Sequence, residues 1–480
     1  MNPDPTARPS PWPAFSCVAL GVFMATLDSS IVNVALPSIL ADFQVPLALV
    51  EWVPNAYLLA ITGLLLAFGR LADIHGQRRV FLAGLAVFTV GSGLCAASGT
   101  ALQLIAARVV QGTGAAMVMA CSAAIVTAVF PPEQRGRGLG LVGTTVALGL
   151  TSGPALGGLL LGLSGWRSLF LLNLPLGVLG LALTVRFLPP LRFGREHQAF
   201  DLLGAALLTL GCTALLLALN RGREWGVAPA LAWAAAGAAG LAAFALREAR
   251  VREPLLELGL FRNRAFSAAT AAAVLSYLAG FVAVLLTPFY LTHVRGLGPR
   301  DMGLTLTVAP LVMTLLAPWA GALSDRVGYG RLTAWGLAVR AASLLALLLL
   351  GPATAFGWVL AALALLGAGS ALFNPPNTSS IMGSVPQERL GIAGGVAAVA
   401  RNLGMVLGIS LGGATFSAFY ARAGGGSLDG HTPALHAAFM AGWRAALGVG
   451  LLACLLALAT SLTRSIPAAR PARAGSEEAP

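Results

Sequence analysis

The chain has 480 residues, of which 57% are hydrophobic and only 10% charged, with a mean hydropathy of +0.82. A soluble domain carries about 25% charged residues, so this composition excludes an ordinary soluble protein. The formal net charge is +12 and every basic residue is Arg; in a soluble chain that balance would raise nucleic acid as a partner, but here the arginines lie mostly in short stretches between apolar runs, which points to orientation in a membrane and to no nucleic acid.

A helix that crosses a bilayer needs about 20 predominantly apolar residues. Along the chain that criterion predicts fourteen spans, near 14–36, 53–71, 80–98, 102–129, 138–162, 167–188, 201–219, 228–247, 266–291, 302–323, 332–350, 354–381, 391–419 and 437–463. The seventh and eighth are the least patterned. Residues 1–13 and 466–480 read as disordered tails, and no cleavable signal is evident ahead of the first span. With both termini cytoplasmic, Arg78, Arg79, Arg135, Arg137, Arg192, Arg195 and the cluster Arg247, Arg250, Arg252, Arg262 and Arg264 all fall on the inner side, as the positive-inside rule favours. The lack of Lys points to a GC-rich, bacterial genome and so to the bacterial cytoplasmic (inner) membrane.

The chain repeats itself. Gly69, Asp73, Gly76 and Arg79 recur as Gly321, Asp325, Gly328 and Arg331, 252 residues on. Gly149, Gly153, Gly157 and Gly158 recur as Gly404, Gly408, Gly412 and Gly413, and Gly112 and Gly114 as Gly367 and Gly369, each 255 residues on. Matches in order at nearly one offset imply two parallel six-helix repeats, 14–190 and 265–465, separated by two extra helices with flanking loops over 191–264. Such repeats place the substrate near the midplane, between the halves. The five cysteines all lie in apolar runs without ligand spacing, so neither a disulfide nor a metal site is expected. There is no G-x-x-x-x-G-K-[ST] motif to hold ATP.

These motifs resemble the major facilitator superfamily, specifically its fourteen-helix drug:proton antiporter branch. Leu27 to Pro37 (LDSSIVNVALP) resembles the first-helix signature of that branch, Trp52, Tyr57 and Leu58 the start of its second helix, and Gly69 to Arg79 the loop motif shared across the superfamily. Arg108, Gln111, Gly112 and Gly114 resemble the fourth-helix motif; Gly149, Gly153, Pro154, Gly157 and Gly158 resemble the fifth-helix antiporter motif. Trp166–Arg167, Asn173, Pro175 and Gly177, then Asn374-Pro375-Pro376 and Arg401-Asn402, complete the pattern. The loop departs from it by carrying Ile74-His75 where basic residues are usual. The resemblance implies an all-α membrane protein of the major facilitator fold, two six-helix repeats plus two extra helices, acting as a monomer without cofactor and with the proton as coupling ion.

Asp28 is the only acid placed well inside a predicted span. A carboxylate there is costly, so such residues usually face a cavity and do work. It reads as a proton-coupling or cation-binding group, against the alternative of a packing acid paired with an arginine. Arg108, one turn before Gln111, reads either as a charge that modulates the proton site or as a structural ion pair. Arg340 and Arg401 read as structural. Asp73, Gly76 and Arg79, with Asp325, Gly328 and Arg331, read as a gating latch between halves. The Gly149/Gly153/Gly157 face can press on another helix, and Pro154 bends it; in the family that face is linked to antiport. Asn33, Asn55, Tyr57, Gln111, Asn173, Tyr277, Tyr290, Asn374, Asn377 and Arg401 are candidate cavity groups, against the alternative that any single one serves to glue helices together. As a set they describe a mostly apolar cavity, suited to small lipophilic cargo, neutral or singly cationic. The expected function is proton-coupled efflux of drugs or antibiotics by alternating access. The alternatives are export of one endogenous metabolite or, in a different class, a polytopic membrane enzyme, for which the loop 421–436 offers Asp429, His431 and His436.

Overall fold

The computed structural model describes residues 10–131, 134–190, 202–251, 257–386, 390–426, 428 and 432–462. Every regular element among them is helical, as a bilayer solvent demands, because only a helix satisfies its backbone groups within one segment. The N-terminal set is α1 (Trp12–Phe43), the short α2 (Leu47–Val50), α3 (Trp52–His75), α4 (Gln77–Ala97), α5 (Ala101–Val129), α6 (Arg135–Ser164), α7 (Arg167–Leu171) and α8 (Asn173–Phe187). A pair follows, α9 (Leu202–Trp225) and α10 (Val227–Glu248). The C-terminal set is α11 (Arg264–Phe289), α12 (Pro299–Val327), α13 (Tyr329–Leu348), α14 (Phe356–Met382), α15 (Leu390–Arg422) and α16 (His436–Leu462).

Among the described residues, thirteen spans are long and apolar enough to cross a membrane. The seventh expected span is a continuous helix too: Leu202 to Leu219 carry no charged residue, and Asn220, Arg221, Arg223 and Glu224 follow them in its last turns. α9 packs along α10 and rests on α3 and α15. Several spans run longer than the hydropathy bounds: α1 begins at Trp12 and continues past Pro37 to Phe43, where Gln44 adopts a left-handed conformation with φ 51° and donates its N–H to Leu40 O. The tail after 462, Arg192 and Arg195, and Asp429 and His431 lie outside the described residues.

The internal repeat is carried into three dimensions. Gly76 (φ 95°) and Gly328 (φ 90°) each end one helix and start the next in a conformation that side chains rarely adopt. α6 lies on α1 and α15 on α11 through the equivalent glycine series. A Cβ at Gly153 would stand 2.5 Å from Ser30 Oγ, and one at Gly408 would stand 2.5 Å from Leu278 O. The α4–α5 contact at Gly84 and Gly114 reappears between α13 and α14 at Gly336 and Gly369. Packing of this closeness is what membrane helices use in place of a hydrophobic drive.

The two sets meet along two seams, α6 with α12 and α3 with α15. Both seams are tight near the face that carries the Gly165 turn. A Cβ at Gly158 would lie 2.7 Å from both Gly303 Cα and Pro299 O; one at Gly413 would lie 1.7 Å from Glu51 Oε1. Leu163, Leu210, Leu315, Trp319 and Leu452 point outward, as side chains bathed by lipid do.

Candidate functional site

Two polar regions stand out from the apolar interior, and they are distinct. The first lies inside the N-terminal set and is centred on Asp28, which is fully buried. Its Oδ2 forms an ion pair with the Arg108 guanidinium. Its Oδ1 accepts from Gln111 Nε2 at 2.8 Å and Asn173 Nδ2 at 2.9 Å, and both amides also donate to Ser92 Oγ. Arg108 spends its other donors on Gln111 Oε1 at 2.5 Å and Val53 O at 3.0 Å. Its guanidinium lies 4.1 Å from the Tyr57 ring centroid, and the Tyr57 hydroxyl donates to Ala25 O. Five helices thus converge on one carboxylate: α1, α3, α4, α5 and α8. Ser92 is the member that sequence reasoning missed; a lone Ser inside an apolar run gives no signal of what it faces.

The second region is a cavity of about 830 Å³ between the two sets, walled by α1, α3, α6, α11, α12, α14 and α15, with Met119 of α5 and Arg340 of α13. Asn33, Tyr57, Pro154, Tyr277, Asn374 and Arg401 line it, as do Arg340, Asn402, Ser276 and Ser370. Most of the remaining wall is apolar, including Phe281, Leu306, Met313 and Met405. The lining extends to Gly143 on α6, Pro318 on α12 and Ser379 on α14, toward the face of the Gly76 and Gly328 turns. At the other face the halves touch. There Asn55 Nδ2 donates to Ser410 Oγ at 3.0 Å, and at mid-helix, beside the cavity wall, the Thr151 and Thr314 hydroxyls are 2.6 Å apart; each bond bridges the two halves.

Several sequence expectations need correction. Asp28 does not face the cavity: its neighbours Ser29 and Ser30 do, while its carboxylate turns into the bundle. Tyr57 is the side chain shared by the two regions, with one face on Arg108 and its edge in the cavity wall. Asn173 and Gln111 belong to the Asp28 network and not to the cavity. Asn55 sits at the α3–α15 seam, Asn377 donates to Ala269 O, and Tyr290 stacks on Trp443 with its hydroxyl on Gly351 O; none of the three lines the cavity. Arg340, read as structural, does line it. Glu51, which falls between the first two expected spans, is 1% exposed, and neither carboxylate oxygen has a hydrogen-bond partner.

In the Gly69–Arg79 turn, Gln77 donates to Asp73 Oδ1 at 2.9 Å and Arg78 donates to Val185 O. Arg79 and Arg331 are exposed, and a Cβ at Gly69 would meet open space. Of Asp325 the backbone alone is described. Gly149, Gly153 and Gly157 seat α6 on Thr26, Ser30 and Ile31 of α1, whereas Gly158 points across the seam to α12. At the far end of α1, Asp42 accepts from Trp166 Nε1 and Arg167 Nη1, both at 3.0 Å, which ties that helix to α7.

Comparison with known proteins places this architecture. The chain is 35% identical over 414 residues to the riboflavin transporter RibZ of Clostridioides difficile (strain 630), covering 86% of this chain and 88% of that protein. It is 33% identical over 412 residues to the tetracenomycin C resistance and export protein of Streptomyces glaucescens, covering 85% and 77% respectively. Multidrug resistance protein Stp of Mycobacterium tuberculosis (strain ATCC 25618 / H37Rv) is 35% identical over 403 residues, covering 83% of this chain and 75% of that one. Among solved structures, a bacterial homologue of the human lysosomal transporter Spinster superposes with a TM-score of 0.69 at 15% identity, covering 95% of this chain and 97% of the other. The sequence model of the Major Facilitator Superfamily matches residues 18–409. With the helical repeats, the inter-half cavity and these relatives together, the chain belongs to the Major Facilitator Superfamily and is a multi-pass membrane transporter.

Proposed function

We propose that this transporter is a proton-coupled exporter of lipophilic drugs or antibiotics, working by alternating access as a monomer in the bacterial cytoplasmic membrane, with both termini inside. The observation that carries the reading is the carboxylate buried beside the cavity rather than in it. Asp28 can hold either a proton or Arg108, and Tyr57 links Arg108 to the cavity wall. With the Gly76 and Gly328 turns on the cytoplasmic side, this conformation is open inward and sealed outward.

Protonation of Asp28 removes the charge that holds Arg108 and leaves the guanidinium with Gln111 Oε1, Val53 O and the Tyr57 ring. A shift of Arg108 then moves Tyr57, and the cavity senses the proton. Cargo enters from the cytoplasm or the inner leaflet. The α6–α12 and α3–α15 seams part, and the Asp73, Arg79 and Arg331 turns close the inner side. A proton bound on the outside resets the cycle. No cofactor takes part; the proton is the coupling ion and the bilayer the only other partner. A dedicated exporter of one metabolite uses the same machinery, and the relatives named for riboflavin and for tetracenomycin C favour that second reading.

The test is reconstitution into liposomes with an imposed pH gradient. Uptake of lipophilic dyes and the matching release of protons are followed for wild type and Asp28→Asn. The expected result is gradient-driven uptake in wild type and loss of gradient dependence in the variant, with binding of cargo retained. Equal gradient-driven uptake by both proteins removes Asp28 from coupling.

A further inference from the structure

The charge of the cavity wall differs from what the sequence suggested. Among the described residues its charged side chains are Arg340 and Arg401, with no Asp, Glu, Lys or His. Two fully buried carboxylates of the N-terminal set lie elsewhere: Asp28 is engaged by Arg108, and Glu51 is shut under Gly413 at the α3–α15 seam. A lipophilic cation in this space would meet two guanidinium groups and no counter-charge.

Arg340 is the more informative of the two. It stands on α13, is 3% exposed, and points between α11 and α14. Nη1 donates to Ser276 O and Oγ, and Nη2 donates to Ser370 Oγ at 2.7 Å. Nε has no acceptor. All its partners are neutral, and no carboxylate among the described residues pairs with it. Arg108 shows the contrast, since in the same protein a buried arginine is matched by an acid, two backbone or amide oxygens and an aromatic face. A buried guanidinium with five donors and no anion is an incomplete ion pair. The groups that hold it, Ser276 and Ser370, line the same cavity.

We infer that Arg340, seconded by Arg401, forms an anion subsite, so that the cargo is an amphipathic organic acid: an aromatic or aliphatic body against Phe281, Leu306 and Met313, and a carboxylate or comparable oxyanion on the arginine. The guanidinium fork suits two oxygens of one carboxylate. The inference rests on the export reading above for its direction of transport, but the site itself requires only binding.

Binding is therefore measured first, without a gradient, on purified full-length protein in nanodiscs. Several aromatic scaffolds are each offered in three forms, as acid, primary amide and amine, for example 2-naphthylacetate, its amide and 2-(2-naphthyl)ethylamine. The expected result is that the acid forms bind at least tenfold more tightly than the matching amines. Arg340→Gln should lose that preference, and Arg340→Lys should retain part of it. Arg401→Gln should weaken acids by a smaller factor and provides the check if Arg340→Gln fails to fold. Amines binding as well as acids, no acid binding, or an acid preference that survives in the folded Arg340→Gln and Arg401→Gln variants overturns the proposal. Acid binding without gradient-driven transport would instead overturn the proton-export reading and leave the subsite standing.

Discussion

Removing either partner of the Asp28–Arg108 pair should destabilise the protein, and removing both should cost far less than the sum. In Asp28→Asn, the amide oxygen can replace Oδ1, which accepts from Gln111 and Asn173. The amide nitrogen then replaces Oδ2 and presents a donor to the Arg108 Nη1 donor. The stranded guanidinium keeps Gln111 Oε1, Val53 O and the Tyr57 ring, so the cost falls at the lower end of the range for breaking a buried pair, about 3 kcal/mol. Arg108→Gln strands the carboxylate with two amide donors, at a similar order of cost. In the double variant two amides face each other, donor to acceptor, and no charge is left buried. The coupling energy should then be about 2–3 kcal/mol, near the upper limit for contacting residues. Reversible unfolding in mixed micelles by added sodium dodecyl sulfate, followed by tryptophan fluorescence, measures all four proteins. Single-variant costs that add to within about 0.5 kcal/mol would refute the reasoning, because independent sites behave that way.

The seams and turns give three further expectations. Gly158→Ala and Gly303→Ala each drive a methyl group into the backbone of the opposite half, so both should shift spin-label distances across that face toward the open state while leaving the N-terminal bundle intact; unchanged distances would contradict the packing. Gly413→Ala collides with the Glu51 carboxyl, and truncation of that side chain in Glu51→Ala/Gly413→Ala should restore the closed distances, whereas failure to restore them would place the strain elsewhere. Gly114→Ala meets Phe88 N and Cα at 2.3 and 2.7 Å within one bundle and should lower the melting temperature by several degrees, while Gly69→Ala, facing open space, should leave it within a degree.

How far the residues alone reach depends on the kind of feature. Hydropathy and helix length are local, so the spans were legible, the seventh among them, where Leu202 to Leu219 carry no charged residue. The duplication was legible because glycines at a constant offset survive as a pattern, and they proved to be contact points: Gly153 and Gly408 seat their helices in the same way. The rotation of each helix was not legible. Helices such as α1 and α14 carry their few polar residues on more than one side, so no single polar face marks which side meets lipid, neighbour or cavity. Thus Asn33 and Asn377 looked alike, yet one lines the cavity and the other caps a carbonyl of α11. Asp28 and Ser29 are adjacent, and a turn of about 100° between neighbouring residues sends one into the bundle and the other into the cavity.

By itself, then, the sequence determined the solvent of this protein, its helical class, its duplicated plan and the residues that must be small. The tertiary structure decided the electrostatics. It brought Arg108, Gln111 and Asn173 onto Asp28, with Ser92 behind the two amides, all from three other helices, left Arg340 beside the cavity without an acid, and closed Glu51 under Gly413. The reason is physical: burial in lipid is a property of one segment and can be summed along the chain, whereas the state of a charge depends on partners 80 or more residues away, which only the packed helices bring within a few ångströms.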